Sequence, residues 1–205
     1  MFKIRNNNIS VLSADTLGVG IIHSSITDIG TLTELQVLNL SSARIEDTSF
    51  INSMDKLEYL YLENTYFNGD YSFLSGLTSL KNVYISLNDY QIADEFDTSI
   101  LENKEDLESV SIYVSNSNPD RTIFNLDWVN STPNLKHLDV DYLVTQSNIE
   151  QLSGFEFDYL NLSTSNITNF NVLDQITISK ESSNKGEIVL PQPADYNDFG
   201  YSSGN

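Results

Sequence analysis

The chain has 205 residues, of which 40% are hydrophobic, and a formal net charge of −19 at pH 7. Its 10 Lys and Arg residues are scattered singly among 29 Asp and Glu residues, so the chain lacks a basic surface for nucleic acid and is disfavoured at anionic membranes. The chain has no cysteine, which excludes disulfides, zinc–thiolate sites and thiol nucleophiles, and no apolar run of about 18 residues that would predict a membrane span.

The first 34 residues predict an irregular N-terminal cap made of partial repeats. The segment FKIRNNNI (2–9) contains Ile4 and Ile9, which are spaced five apart like apolar residues in later units. Its charged start is not followed by the apolar stretch of a secretory signal. We therefore expect residues 1–34 to cap a repeat domain, and we expect the chain to be a segment of a longer protein.

A six-residue phrase recurs six times between residues 35 and 162. Each copy reads apolar-x-x-apolar-x-apolar: LQVLNL (35–40), LEYLYL (57–62), LKNVYI (80–85), LESVSI (107–112), LKHLDV (135–140) and FDYLNL (157–162). The last two apolar positions are two apart, so both side chains point to one face of a strand. One unit cannot bury that face alone, so residues 35–178 should stack into a solenoid with a parallel sheet of six or seven strands. The expected buried pairs are Leu38/Leu40, Leu60/Leu62, Val83/Ile85, Val110/Ile112, Leu138/Val140 and Leu160/Leu162.

The segments between the phrases predict short helices or 3₁₀ turns on the outer side of the solenoid. The arm 86–106 contains Ser99 and Glu102 at capping-box spacing. The arm 113–134 contains the only tryptophan, Trp128, which we expect to pack against the core. A parallel β-helix would need several strands in each turn, and these arms have too few alternating runs for that.

Residues 179–205 predict a C-terminal hairpin cap followed by a frayed tail. ITIS (176–179) and EIVLP (187–191) alternate like strands, and ESSNKG (181–186) between them is rich in turn residues. A hairpin stacked on the last repeat would cover an otherwise exposed core. The whole chain is thus expected to form a single structural domain.

The arms that lead back to each phrase resemble those of a known repeat family. EDTSFINSMDKL (46–57) and NGDYSFLSGLTSL (68–80) resemble the I-x-D-x-S-x-L-x-x-L arm of bacterial internalin-type leucine-rich repeats. The resemblance implies a leucine-rich repeat solenoid of the α/β horseshoe type, with a parallel concave β-sheet, short helical, 3₁₀ or irregular convex arms and a β-rich C-terminal cap. One position departs from the family, because its usual asparagine is replaced by Ala43, Thr65 and Ser165. This departure predicts a weaker hydrogen-bond ladder between turns.

The residues that alternate with the buried pairs predict a tyrosine-rich surface on the concave side. Neighbouring strands lie about 4.8 Å apart, which would bring Tyr59, Tyr61 and Tyr84 into contact. Tyrosine offers a rigid apolar face and one hydroxyl at low entropy cost, which suits binding surfaces, although strand propensity alone also favours it there. The predicted partner-binding residues are Tyr59, Tyr61, Glu63, Tyr84, Tyr113, His137, Asp139, Asp141 and Tyr159.

His137, Asp139 and Asp141 share the outward face of one predicted strand. The neighbouring strands offer only weak oxygen donors, so Asp139 and Asp141 would at most give a weak calcium site, and a tight zinc site is not expected. Plain surface polarity is the favoured interpretation. An open concave sheet offers little burial to raise the pKa of a catalytic carboxyl, so we predict neither an enzyme nor a cofactor.

The resemblance implies a non-catalytic protein–protein interaction module. It would be the ligand-binding repeat region of an internalin-like cell-surface or secreted bacterial protein. Such a protein would mediate adhesion through the concave face, as a monomer that binds a basic or host-surface protein. Two alternatives stay open: a structural spacer of a surface protein, and a cytoplasmic regulatory scaffold resembling phosphatase-regulator leucine-rich repeats. The acidic charge is also explained by solubility alone.

Overall fold

The computed structural model describes residues 10–13, 21–22, 31–45, 47–67, 71–87, 97–114, 125–140, 145–162, 167–179 and 187–189. Within these ranges the strands are β1 (Val11–Ser13), β2 (Ile21–Ile22), β3 (Val37–Asn39), β4 (Arg44–Ile45), β5 (Tyr59–Leu62), β6 (Tyr66–Phe67), β7 (Asn82–Leu87), β8 (Ser109–Val114), β9 (His137–Val140), β10 (Glu156–Phe157), β11 (Tyr159–Asn161), β12 (Thr177–Ile178) and β13 (Glu187–Val189). The helices there are α1 (Gln146–Ile149) and the 3₁₀ helices Ser49–Ser53, Ser72–Gly76, Thr98–Leu101, Asp127–Ser131, Glu150–Leu152 and Asn171–Gln175.

The strands form one large and two small parallel sheets. The main sheet has eight strands in the order β1-β3-β5-β7-β8-β9-β11-β13, and the smaller sheets are β2-β4-β6 and β10-β12. Each phrase contributes one strand to the main sheet, and a short outer helix follows before the next phrase. This arrangement confirms the predicted leucine-rich repeat solenoid. We call the solvent-facing side of the main sheet the concave face.

The apolar positions of the phrases form the core. All six predicted pairs are buried, and none of their residues is more than 1% exposed. Full burial of one such aliphatic side chain contributes roughly 1.5–3 kcal/mol, which a single isolated unit could not gain. The core is therefore a product of stacking.

Adjacent strands of the main sheet pair in register, so equivalent residues of successive repeats lie side by side. Tyr61 pairs with Tyr84 between β5 and β7. Ser111 pairs with Asp139 between β8 and β9, and Asp139 pairs with Asn161 between β9 and β11. This register carries the outward side chains across the concave face in continuous rows.

The chain leaves the concave sheet through a turn that contains a left-handed residue. Ser42 and Asn64 have φ angles of 61° and 51° and occupy equivalent positions of two successive repeats. Two residues later the chain enters β4 and β6, which pair in parallel beside the main sheet. The left-handed residue thus redirects the backbone from one sheet to the other.

The position that the family fills with asparagine follows directly after this turn. Thr65 is fully buried, and its hydroxyl donates to the carbonyl oxygen of Leu40 in the preceding repeat at 2.8 Å. Ala43 is also buried but has no side-chain donor, and Ser165 lies outside the described residues. A hydroxyl therefore links the turns at Thr65, whereas the side chain of Ala43 cannot.

The outer 3₁₀ helices begin at short polar turns, and the predicted capping box is wrong. The carboxylate of Asp97 accepts from the backbone N–H of Ser99 at 3.0 Å. The helix that follows spans only Thr98–Leu101, so Glu102 lies at its C-terminal end and cannot act as an N-terminal cap. The same turn recurs in the other arms as Asp47/Ser49, Asn125/Asp127 and Asn169/Asn171.

Two large side chains of the outer arms lie in the interior. Trp128 is 1% exposed and packs in the core, as predicted. Lys104 is also 1% exposed, and its ammonium donates to the carbonyl oxygens of Leu74 and Leu77 at 2.7 and 3.0 Å. Burial lowers the pKa of Lys104 from its usual 10.5 to about 8. Among the described residues, Lys104 thus places an amine in the interior, where two backbone carbonyl oxygens accept its hydrogen bonds.

The C-terminal strands differ from the predicted hairpin. β12 pairs in parallel with β10, and β13 pairs in parallel with β11. Consecutive strands of a hairpin would be antiparallel partners, so the two strands instead add a further layer to the solenoid. The end is β-rich as predicted, while the predicted turn 181–186 and the predicted frayed tail 191–205 lie outside the described residues.

Candidate functional site

The concave face brings together eight of the nine predicted binding residues. Six of them are partly exposed, Glu63 is exposed and Asp139 is buried, with 4% of its surface accessible. Asp141 lies outside the described residues. The partly exposed residues are Tyr59, Tyr61, Tyr84, Tyr113, His137 and Tyr159.

Asp139 is the polar centre of this surface. Its Oδ2 atom accepts from the hydroxyl of Tyr113 at 2.5 Å, and its Oδ1 atom accepts from the side-chain amide of Asn161 at 2.9 Å. Both oxygens therefore act as acceptors, one toward each neighbouring strand. The carboxylate is held in place by two neutral donors, and none of the ion pairs between described residues includes it.

Tyr113 reaches Asp139 diagonally because the strand position opposite Asp139 is small. Ser111 is the register partner of Asp139, and Tyr113 lies two residues farther along the same strand. Ser86 pairs with Tyr113 and is small as well. Ser111 is 8% exposed and Ser86 is 7% exposed, so both outward-facing serines are buried. The serines thus provide the space into which the phenol ring tilts.

The rings of this face form two separate pairs. Tyr84 and Tyr113 have ring centroids 5.2 Å apart and planes tilted by 31°. His137 and Tyr159 are stacked, with centroids 4.4 Å apart and planes within 13°. The expected contact of Tyr84 with Tyr59 and Tyr61 is not among the ring contacts of the described residues, although Tyr61 and Tyr84 are register partners.

The pKa shifts of the face follow from burial and negative charge. Burial and the hydrogen bond to Asp139 raise the pKa of Tyr113 far above its usual range. Burial and the nearby charges of Glu63 and Asp139 raise the pKa of Tyr84, while its hydrogen bond with Tyr113 opposes them. Burial lowers the pKa of His137, and the charge of Asp139 opposes the shift. At neutral pH the phenols are therefore protonated and the imidazole is uncharged.

The described residues do not assemble a metal site. None of them belongs to a group of three or more His, Cys, Asp or Glu side chains that could hold an ion. Both oxygens of Asp139 already face hydrogen-bond donors, which a cation would have to displace. The other residue of the weak calcium prediction, Asp141, lies outside the described ranges, so that prediction stays open.

Sequence reasoning missed three polar residues that shape this face. They are Ser86, Ser111 and Asn161, which alternation places on the outward side of their strands but which are not among the predicted binding residues. The signal that could have found them is size, since small residues opposite large ones let side chains interlock across strands. The resulting surface presents aromatic rings beside the carboxylates of Glu63 and Asp139. Such a surface can bind a partner through ring faces and charge.

Comparisons with known proteins identify the repeat type. No protein-family model and no curated protein matches the sequence. Among solved structures, an internalin (InlF) of Listeria monocytogenes is similar with a TM-score of 0.59 and 25% identity, over 82% of this chain and 46% of that one. Internalin C2 of the same species gives a TM-score of 0.45 and 20% identity, over 80% and 55% of the two chains.

A plant protein shares the same architecture at lower identity. The leucine-rich repeat ectodomain of the membrane receptor kinase GASSHO1/SCHENGEN3 of Arabidopsis thaliana gives a TM-score of 0.50 and 19% identity, over 80% of this chain and 19% of that one.

This chain spans about half the length of each of the two internalins. None of the helices in the described ranges is long and apolar enough to cross a membrane. By its structure the chain is an internalin-like leucine-rich repeat solenoid.

Proposed function

We propose that the chain is the ligand-binding repeat region of a secreted or cell-surface bacterial protein, and that its concave face binds a protein partner in adhesion. The module acts as a monomer and without catalysis. Its partner is a basic protein, such as one exposed on a host surface. The similarity to the internalin InlF structure supports this proposal, and the side chains of the concave face supply the residues that would bind the partner.

The observation that carries the proposal is the set of partly exposed rings on the concave face. Five tyrosines and one histidine stay partly accessible on a rigid parallel sheet whose core is closed beneath them. Rigid aromatic side chains lose little entropy when they are covered, so they serve as anchors at the centre of interfaces. The excess of acidic residues adds attraction for a basic partner and raises its association rate.

Two other functions make different predictions about the same face. A structural spacer would need the solenoid but no particular residue on its concave side. A cytoplasmic scaffold would also bind proteins, but its gene would encode neither a secretion signal nor a surface anchor. The full-length gene and the effect of concave substitutions therefore separate these functions.

A capture experiment tests the role of the concave face. The immobilised chain and its Tyr61→Ala/Tyr84→Ala variant are incubated with detergent extracts of host-cell membranes and of bacterial envelopes. We expect a partner that the wild type retains and that the double variant loses. Tyr66→Ala serves as the matched control, because Tyr66 is an exposed tyrosine on β6, outside the concave face. Equal recovery of every partner by all three proteins would contradict the proposal.

A further inference from the structure

The centre of the concave face joins two aromatic rings to two carboxylates. The rings of Tyr84 and Tyr113 contact each other, and the hydroxyl of Tyr113 donates to Asp139. Glu63 directly follows Leu62, whose register partner Ile85 is adjacent to Tyr84. Burial and the negative charges of Glu63 and Asp139 raise the pKa of Tyr84. We call Tyr84, Tyr113, Asp139 and Glu63 the acidic ring pair.

No cationic side chain among the described residues forms an ion pair with Glu63 or Asp139. The lysines closest in sequence to the concave strands, Lys81 and Lys136, precede β7 and β9 and pair with Glu58 and Glu156 at 2.9 and 3.6 Å. His137 is uncharged at neutral pH, because burial lowers its pKa. Among the described residues, the acidic ring pair is therefore a partly exposed aromatic surface whose negative charge is not paired with a cation.

A phenol that donates to a carboxylate has a more electron-rich ring. Tyr113 donates its hydroxyl proton to the buried carboxylate of Asp139, which increases the electron density of the Tyr113 ring. The ring of Tyr84 lies against this ring, with centroids 5.2 Å apart. A cation is attracted to such a ring face by the ring quadrupole, and the attraction grows when the ring carries more electron density.

We propose that the acidic ring pair binds an arginine side chain of the protein partner. The inference rests on the proposed protein-binding function and names the group that is recognised. The guanidinium lies flat on the ring of Tyr84, and its charge is matched by Asp139 beneath the rings and Glu63 beside them. The partner thus supplies a positive charge that the described residues of this face do not provide.

Arginine fits this surface better than lysine does. The hydroxyl proton of Tyr113 and one lone pair on each oxygen of Asp139 are already used in hydrogen bonds, so the surface offers ring faces and charge more than free acceptors. A guanidinium is planar, stacks on aromatic faces and is weakly hydrated, whereas an ammonium is strongly hydrated and needs close acceptors. The acidic ring pair therefore favours guanidinium.

A peptide titration followed by NMR tests this inference without the natural partner. The probes are three acetylated and amidated pentapeptides, Gly-Ser-X-Ser-Gly, in which X is arginine, lysine or citrulline, the neutral isostere of arginine. We expect the arginine peptide to shift the ring-proton signals of Tyr84 and Tyr113 in a saturable way. Its affinity should exceed that of the lysine peptide about threefold and that of the citrulline peptide at least tenfold. Equal affinity for arginine and citrulline, or for arginine and lysine, would overturn the assignment.

Variants separate binding at the acidic ring pair from general attraction to an acidic protein. Tyr84→Leu and Glu63→Gln should each weaken the arginine peptide at least threefold. Glu150→Gln removes the same charge from an outer helix and Tyr66→Leu removes an exposed ring from β6, so both should bind like the wild type. Unchanged affinity of Tyr84→Leu would refute the inference. The peptide titration uses no natural partner, so this failure would not refute the proposed function. The capture experiment tests that function separately.

Discussion

Tyr113 and Asp139 lie on adjacent strands, two residues out of register, and are joined by a 2.5 Å hydrogen bond. The bond crosses above Ser111, which is small enough to let the phenol ring tilt over it. The bond helps to bury the carboxylate of Asp139. Asp139 is only 4% exposed, although it occupies an outward position on its strand. One bond thus fixes both the tilt of a ring and the burial of a charge.

Removing an acceptor from Asp139 should destabilise the domain. In Asp139→Asn one oxygen becomes an amide donor, so that either Tyr113 or Asn161 faces a donor instead of an acceptor. Leaving a buried donor unsatisfied costs about 1–3 kcal/mol, and we expect urea denaturation to show a loss of that size. Glu63→Gln makes the same chemical change at an exposed position and should stay within about 0.5 kcal/mol of the wild type. A similar loss in both variants would contradict this account of Asp139.

The sequence predicted which residues lie on the concave face but not how they contact each other. Alternation assigns a side chain to a face, and the in-register sheet then sets its neighbours, so eight predicted residues were found on or beside that face. Alternation says nothing about the tilt of a ring. Tyr113 leans two positions along its strand toward Asp139, and this diagonal contact depends on the sizes of Ser86 and Ser111. The burial of Asp139 could not be predicted for the same reason.

The hydroxyl of Thr65 should contribute measurably to the link between two repeats. Thr65→Val keeps the shape of the side chain but removes the donor to the carbonyl oxygen of Leu40. That carbonyl still accepts from the N–H of Ala43, so we expect the modest loss of one neutral hydrogen bond, about 0.5–1.5 kcal/mol in thermal or urea unfolding. Thr78→Val is the control because Thr78 is exposed. No difference between the two variants would show that the hydroxyl does not stabilise the ladder.

Ser42 should respond to substitution as a left-handed residue does. Its φ angle is 61° and it is exposed, so backbone conformation dominates over packing. Ser42→Gly should raise the free energy of unfolding by up to about 1 kcal/mol, and Ser42→Val should lower it by about 1–2 kcal/mol. The adjacent Ser41 does not have a positive φ, so Ser41→Gly should be destabilising. A loss of stability in Ser42→Gly would contradict the turn geometry.

The two ends of the solenoid show where the sequence pattern stopped being informative. The strand Val11–Ser13 pairs in register with Val37–Asn39, yet it was missed, because its phrase ISVLSA (9–14) ends in a weakly apolar alanine. At the other end, the alternation of ITIS and EIVLP correctly indicated strands. Alternation is the same in parallel and antiparallel strands, however, so it could not show that each strand joins a separate sheet in parallel.

Because of Lys104, the free energy of unfolding should change with pH in the alkaline range. It stands three residues before its phrase, where the repeats on the N-terminal side hold Leu32, Met54 and Leu77. Burial lowers its pKa to about 8 in the folded chain, against 10.5 in the unfolded chain. Between these values the unfolded chain binds a proton that the folded chain does not. The free energy of unfolding therefore rises with pH across this window, by up to about 3 kcal/mol for the whole shift.

Lys104→Met should abolish this pH dependence. Methionine is unbranched and apolar, and Met54 shows that the solenoid accepts it at the equivalent position. We expect the free energy of unfolding of the wild type, measured in urea at intervals from pH 7 to 9.5, to rise relative to that of the variant above pH 8. The raised pKa values of the buried tyrosines affect both proteins equally and cancel in this difference. Lys56→Met is the control, because Lys56 is exposed and pairs with Glu34 at the surface. Its curve should run parallel to that of the wild type, and a parallel curve for Lys104→Met would show that the amine is not held in the interior.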